Sequence, residues 1–359
     1  MTRLLLLTLL PAQLIASDTT DVFVSGKGGY HTYRIPALAV TVKGTLLAFC
    51  EGRKTSREDL GDNDLLLKRS SDGGRTWGKM QLVYEEGGNR KITIGNPTVV
   101  VDEMTGVVWV VFLRNGREVL VTSSRDDGAS WAKPTEITKQ VKKPGWGFYA
   151  VGPGCGIQLK HGPHKGRIVI PGYHRRTPDK SGPSASHIFY SDDHGKSWQL
   201  GGIVGLHTNE CQVVETLENG RSGLLLNARN HWARSGGQPA LAGKRIIARS
   251  RDGGASWAKP EFDEALIEPT CQASLLRYRF AGKNRRGVIL FANPADRGRR
   301  KVTVKLSYDE GRTWPVATLI HAGSSAYTAL AVLKDGRVAV MYERDGYAKL
   351  TVARIAIAD

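Results

Sequence analysis

Ser70-Ser71-Asp72-Gly73-Gly74-Arg75-Thr76-Trp77 is one of five copies of a single pattern, Ser-x-Asp-x-Gly-x-Ser/Thr-Trp. The other copies occupy residues 124–131, 191–198, 250–257 and 307–314. Average residue usage allows about 10⁻³ chance matches in a chain of this length, so one structural unit recurs. Successive copies start 54, 67, 59 and 57 residues apart. That spacing is too long for helical solenoid repeats and suits a four-stranded propeller blade. The pattern reads as a hairpin turn: Asp and Gly supply the turn, Ser bonds nearby backbone, and Trp anchors the turn on the sheet.

Apolar, strand-like runs flank every copy. In the first unit these are residues 46–50 and 64–69, and 107–113, 167–170, 223–226, 287–291 and 338–342 take the equivalent place in later units. No amphipathic helix of three turns is legible beyond residue 20. The mature length holds about six units, yet only five carry the turn. The last stretch offers three strand runs, 328–333, 338–342 and 349–357, and lacks a fourth. The orphan run 21–25 at the other end of the chain can supply it. Both termini in one blade would close a ring and remove exposed sheet edges. The fold expected is all-β, a six-bladed β-propeller of four-stranded antiparallel blades over residues 18–359.

Residues 1–17 read as a signal peptide: Arg3, a leucine-rich run over 4–10, then small residues up to Ser17. The run is too short to span a bilayer. A secreted or periplasmic protein is expected, with no membrane span, acting as a monomer. Net charge is +17, which favours anionic partners. The charges are scattered without a long basic run or a nucleic-acid motif, so nucleic acid is not the expected partner. Cys50, Cys155, Cys211 and Cys271 lack metal spacing and read as mostly buried thiols. The nine histidines form no metal-ligand motif and no phosphate loop is present. No metal and no cofactor are expected.

Strand direction alternates within a blade. The entry to strand 1 and the loop between strands 2 and 3 therefore share one face, and the repeated turns lie on the other. Arg34, Glu58, Asp59, Glu210, Arg229, Arg299, Arg300 and Tyr327 all fall on the face opposite the turns. Three arginines from separate blades can hold one carboxylate, because guanidinium forks match carboxylate geometry. A tyrosine beside a glutamate is a nucleophile with its base. An acid in a nearby loop can protonate a leaving group.

These residues sit in motifs that resemble the exo-α-sialidases (neuraminidases) of bacterial and animal type, whose Asp boxes the repeated turns look like. Tyr33-Arg34-Ile35-Pro36 matches that family's Tyr/Phe-Arg-Ile-Pro signature. Residues 209–215 resemble the glutamate segment, 227–229 the second arginine, 291–294 followed by Arg299-Arg300 the third, and 325–327 with 341–343 the nucleophile region. The resemblance spans about residues 22–357. It implies hydrolysis of terminal α-linked sialic acid from glycoconjugates with retained configuration, without a cofactor. A tyrosine nucleophile is the recognised exception that sialidases make among retaining glycosidases. The implied roles are Tyr327 as nucleophile, Glu210 as its base, Asp59 as general acid, and Arg34, Arg229 and Arg299 as carboxylate ligands. Glu58 is the alternative acid and Arg300 the alternative third arginine; spacing to Tyr327 favours Arg299. Asn96 and residues 146–156 are expected to line a glycerol or N-acyl pocket. Rival readings are a related ulosonic-acid hydrolase, a trans-sialidase or an anhydro-product enzyme on the same site, and a non-catalytic glycan-binding propeller.

Overall fold

The computed structural model of the protein describes residues 16–357 except residues 89 and 178–181. The expected leader therefore lies outside the described residues, save for the backbone of Ala16 and Ser17. Each sequence unit forms an antiparallel meander of four strands. Blade 1 runs Thr32–Val40, Leu46–Arg53, Asn63–Ser70, Gln81–Tyr84. Blade 2 runs Ile94–Val101, Val108–Arg114, Glu118–Ser124, Thr135–Glu136. In blade 3 an interrupted first strand, Tyr149–Val151 and Ile157–Gln158, precedes Ile168–Arg175, Ser184–Ser191 and Gln199–Leu206. Blade 4 runs Thr208–Glu218, Arg221–Asn230, Lys244–Ser250, Glu261–Ile267.

Blades 5 and 6 share a strand. Ser274–Arg279, Val288–Pro294 and Arg300–Ser307 are completed by the first half of the 17-residue strand Val316–Val332. Its second half pairs with Val338–Arg344, followed by Lys349–Ile355. Ala16–Val24 then pairs antiparallel with Lys349–Ile355. The N-terminal strand thus supplies the missing fourth strand, and the ring of six blades closes.

The repeated turn works as its residue types imply. Ser70 donates to Asp72 at 2.7 Å and accepts from the Gly74 amide at 2.8 Å. Asp72 accepts from the Thr76 amide at 3.0 Å and hydroxyl at 2.6 Å. The fixed glycine has positive φ in all five copies, +87° at Gly74, where a side chain is strained. Each Trp then packs on the preceding blade. Trp131 meets Phe49 edge-on, Trp198 meets Trp109, Trp257 donates to the Gly202 carbonyl, and Trp314 donates to Asp263.

The core lies between blades, not within them. Six apolar clusters fill the six blade–blade interfaces, for example Phe49, Leu67, Val110 and Phe112 between blades 1 and 2, and Phe23, Leu350, Met341 and Cys50 between blades 6 and 1. A blade alone buries neither face, so stability requires the closed ring. A seventh, small cluster of Ile35, Cys271, Ala326 and Tyr327 caps the central axis on the face opposite the repeated turns. The four cysteines are free; Cys50, Cys211 and Cys271 are buried and Cys155 partly so.

Candidate active site

The innermost strands do not end before the residues expected on this face; they run through them and break register there. Pairing shifts between Arg34 and Ala37, between Gly95 and Thr98, between Thr208 and Cys211, and between Ser325 and Thr328. These irregularities bracket Arg34, Asn96, Glu210 and Tyr327. A bulge re-aims a side chain that would otherwise alternate into a blade interface. Ile35 and Asn96 take positive φ, 60° and 53°. For a β-branched residue that conformation is strained, and Ile35 is held in it by an amide hydrogen bond to Glu343 at 2.9 Å.

The Tyr327 hydroxyl donates a short hydrogen bond to Glu210 and accepts one from Arg229 at 3.3 Å. Arg229 also donates to the other Glu210 oxygen at 2.6 Å. All three side chains are buried. Burial, then the Glu210 charge, pushes the Tyr327 phenol well above its ordinary pKa, while Arg229 and Arg299 pull it down. The resting phenol is therefore protonated and hands its proton toward Glu210.

Three arginines converge around this pair. Arg34 lies with its Cζ 5.3 Å from the Tyr327 ring centroid and 4.1 Å from that of Tyr347. Arg299 lies 5.8 Å from the Tyr327 centroid and donates to the Tyr347 hydroxyl at 3.0 Å. Burial opposes the charge on Arg34, but Glu343 more than offsets it and holds the pKa above the ordinary arginine value. Arg229 follows the same logic with Glu210 as the offsetting charge. Of the two candidates for third arginine, Arg299 is the one beside Tyr327 and Tyr347, whereas Arg300 is 61% exposed and pairs with Asp296 at 3.1 Å.

The loop after Leu46–Arg53 brings Asp59 over the same mouth. Its carboxylate lies 3.2 Å from Arg53 and 3.8 Å from Arg34, and its side chain is 67% exposed. Glu58 is exposed and makes neither contact. Asn96 lines the cleft and is fixed by its amide to Glu51 at 2.8 Å and its side chain to the Val151 carbonyl at 3.3 Å. Of residues 146–156, Phe148 lines the cleft, whereas Trp146 stacks on His174. Residues 152–156 instead leave blade 3, and Gly154–Cys155 pairs parallel with the first strand of blade 2. Positive φ at Gly152 and Gly154 permits that detour.

Four residues join the site that the face argument did not single out. Glu343 clamps Arg34, Tyr347 bridges Arg34 and Arg299, and the buried pair Arg53–Glu51, 2.7 Å apart, connects Asp59 to Asn96. The signal for the last pair was present: two charges inside an otherwise apolar strand need partners.

Residues 44–340 match the model of the BNR repeat-like domain. The sialidase of Micromonospora viridifaciens is 36% identical over 346 residues, covering 90% of this chain and 51% of that protein. The exo-alpha-sialidase of Aspergillus fumigatus is 30% identical over 355 residues, covering 88% and 80%. The solved Hadza microbial sialidase Hz136 superposes with a TM-score of 0.81 at 30% identity, covering 94% of this chain and 68% of that one. The chain thus spans about half the length of the Micromonospora relative.

Proposed function

The chain belongs to the BNR-repeat sialidase family, and from that premise we propose that it is a retaining exo-α-sialidase. It would release terminal α-linked sialic acid from glycoproteins, glycolipids or oligosaccharides. The observation that carries this reading is the Tyr327 hydroxyl held between Glu210 and Arg229 beside two further arginines.

The anomeric carbon of sialic acid bears a carboxylate, so a carboxylate nucleophile would be repelled there. A neutral phenol avoids that repulsion. Arg34, Arg229 and Arg299 take the substrate carboxylate as charge-assisted forks. The Tyr327 oxygen then bonds to the anomeric carbon as its proton passes to Glu210, and the glycosidic bond breaks as Asp59 protonates the departing oxygen. In the second half, Asp59 takes a proton from water, the water oxygen replaces Tyr327 on the anomeric carbon, and Glu210 returns the proton to the phenol. Arg229 lies against both Glu210 and Tyr327, so it supports the developing phenolate and the substrate at once.

The test is release of free sialic acid from an α-linked fluorogenic sialoside by wild type and Tyr327→Phe, with proton NMR of the first-formed anomer. Wild-type turnover with the α-anomer first, and loss of about 10²–10⁴-fold in the variant, is the expected result. A β-anomer first removes the covalent step, and an inactive wild type removes the function. Export through residues 1–17 and action as a monomer belong to the same proposal. Among the described residues no helix is long and apolar enough to cross a membrane.

A further inference from the structure

The three arginines at the mouth are not held alike. Arg34 is paired with Glu343 at 2.7 Å and Arg229 with Glu210 at 2.6 Å. Among the described residues Arg299 pairs with no carboxylate and donates to two neutral oxygens, the Tyr347 hydroxyl at 3.0 Å and the Thr270 carbonyl at 3.4 Å. Nor is it wedged by close packing, since a cavity of ≈ 50 Å³ lies against it, lined also by Ser325, Glu343 and Tyr347.

Tyr347 meets two of these arginines at once. The Arg34 Cζ stands 4.1 Å from its ring centroid, against the electron-rich face. Its hydroxyl oxygen accepts from Arg299. One neutral side chain thus holds two guanidiniums that repel each other. A carboxylate in its place would grip Arg299 more firmly, but it would neutralise that charge and compete with the anion the site is built to take.

The backbone is arranged for this contact. Asp345, Gly346 and Tyr347 all have positive φ, 54°, 63° and 74°. A bulky residue there is an outlier, and such strain persists only where the surroundings impose it. Here the Tyr347 carbonyl accepts from the Ser25 hydroxyl at 2.8 Å, and the Asp345 amide donates to the Ser324 carbonyl at 3.1 Å. The turn between Val338–Arg344 and Lys349–Ile355 is thereby pinned, and the half-buried ring packs on the small cluster of Ile35, Cys271, Ala326 and Tyr327.

We propose that Tyr347 is a positioning residue, which aims Arg299 and Arg34 through neutral contacts and so leaves the charge of Arg299 for the substrate carboxylate. This inference rests on the exo-sialidase reading and deepens it by assigning what prepares the carboxylate site.

The probe is 2,3-unsaturated sialic acid, an analogue that keeps the carboxylate and has no leaving group. Its Kd is measured by calorimetry for wild type, Tyr347→Phe, Tyr347→Leu, Arg299→Met and the double variant Arg299→Met/Tyr347→Phe. Phe keeps the ring over Arg34 and loses the acceptor for Arg299, so Kd should rise about fivefold. Leu loses both contacts, so Kd should rise about thirtyfold. In the Arg299→Met background Tyr347→Phe should change Kd by less than about twofold, because the hydroxyl acts through Arg299. A purely structural effect would persist in that background, so an undiminished loss there overturns the proposal. A wild-type Kd in Tyr347→Phe and Tyr347→Leu overturns it too, and leaves the sialidase reading standing. Failure of the wild type to bind the probe overturns the sialidase reading itself, and this role with it.

Discussion

Glu343 grips Arg34 with both oxygens, at 2.7 Å to Nε and 3.2 Å to a terminal nitrogen, across 309 residues of chain. The same carboxylate accepts the amide of Ile35 at 2.9 Å and that of Tyr327 at 3.1 Å. One buried side chain therefore sets the first arginine, the strained residue beside it and the backbone of the proposed nucleophile. It also joins blade 6 to blade 1 at the mouth of the central axis. Removing one partner of a buried ion pair leaves an uncompensated charge and costs about 3–5 kcal/mol. Glu343→Gln should therefore lower the melting temperature and cut kcat/KM by about 10²-fold. Pairing Arg34→Met with Glu343→Leu should recover much of the stability and none of the turnover. Recovery of both would show that the pair serves the fold alone.

Asp59 is exposed where the other members of the set are buried or half-buried, and its loop is tied down by Arg53 to the Arg57 carbonyl and by Gly61 to Thr93. Asp59→Ala should slow substrates with poor sugar leaving groups by about 10²–10³-fold and activated aryl sialosides far less. Glu58→Ala should change neither by more than about twofold, since its side chain faces solvent. Kinetics on an aryl sialoside against sialyllactose separate the two. The opposite selectivity pattern would move the acid to Glu58.

What the sequence revealed of this molecule follows the range of the interactions. The repeated turns are local, each closed by its own Ser, Asp and Gly, so five of six blades were legible directly. The sixth was legible from the mismatch between three strand runs and an orphan strand. Strand parity alone placed Arg34, Glu210, Arg229, Arg299 and Tyr327 on one face. Bulges were not legible, because periodicity describes regular pairing and each bulge is set by distant partners such as Glu343. The choice of Arg299 over Arg300 depends on which of two neighbours faces the axis. Parity cannot separate them; of the two, Arg299 is the one that packs against Tyr347. The detour of residues 152–156 into blade 2 depends on Gln212 from blade 4, which accepts from the Cys155 amide at 3.2 Å and donates to the Pro153 carbonyl at 2.9 Å.

Beneath the rim of blade 3, His174 and His187 share a contact at 3.1 Å, His187 meets the Tyr149 hydroxyl at 2.8 Å, and Trp146 stacks on His174. Burial, then Arg176 and Lys143, lowers the His174 pKa to about 3, and burial followed by His174 lowers that of His187. His231, next to Arg229 and Arg175, is lowered to about 2, again chiefly by burial. The unfolded chain binds protons near pH 6.5 and the folded one does not, so stability falls as pH falls below that value. Each histidine should cost about 1–2 kcal/mol between pH 7 and pH 5. Thermal melts across that window should show a steep acid loss. His174→Gln with His187→Gln should be less stable at pH 7 but flatter against pH. An unchanged slope in that variant would assign the loss to other groups.

Ring closure rests on the N-terminal strand, of which residues 18–24 lie beyond the proposed leader. Ala16–Val24 covers the Lys349–Ile355 edge along its length, Val22 and Phe23 are buried between blades 6 and 1, and Asp21 pairs with Arg344 at 2.8 Å and Lys349 at 2.7 Å. Partial burial of Asp21 is outweighed by these partners, which lower its pKa to about 2. Its stabilisation is thus present above about pH 4 and is lost as pH falls toward 2. Deleting residues 1–24 removes the burial of two side chains, about 1.5–3 kcal/mol each. It also leaves an unpaired edge open to pairing with a second chain. The truncated protein should melt at lower temperature and elute as dimers or larger species on size exclusion. A peptide of residues 16–26 added in trans should restore the monomer by occupying the edge. Elution of the truncated chain as an equally stable monomer would show that blade 6 closes without its fourth strand.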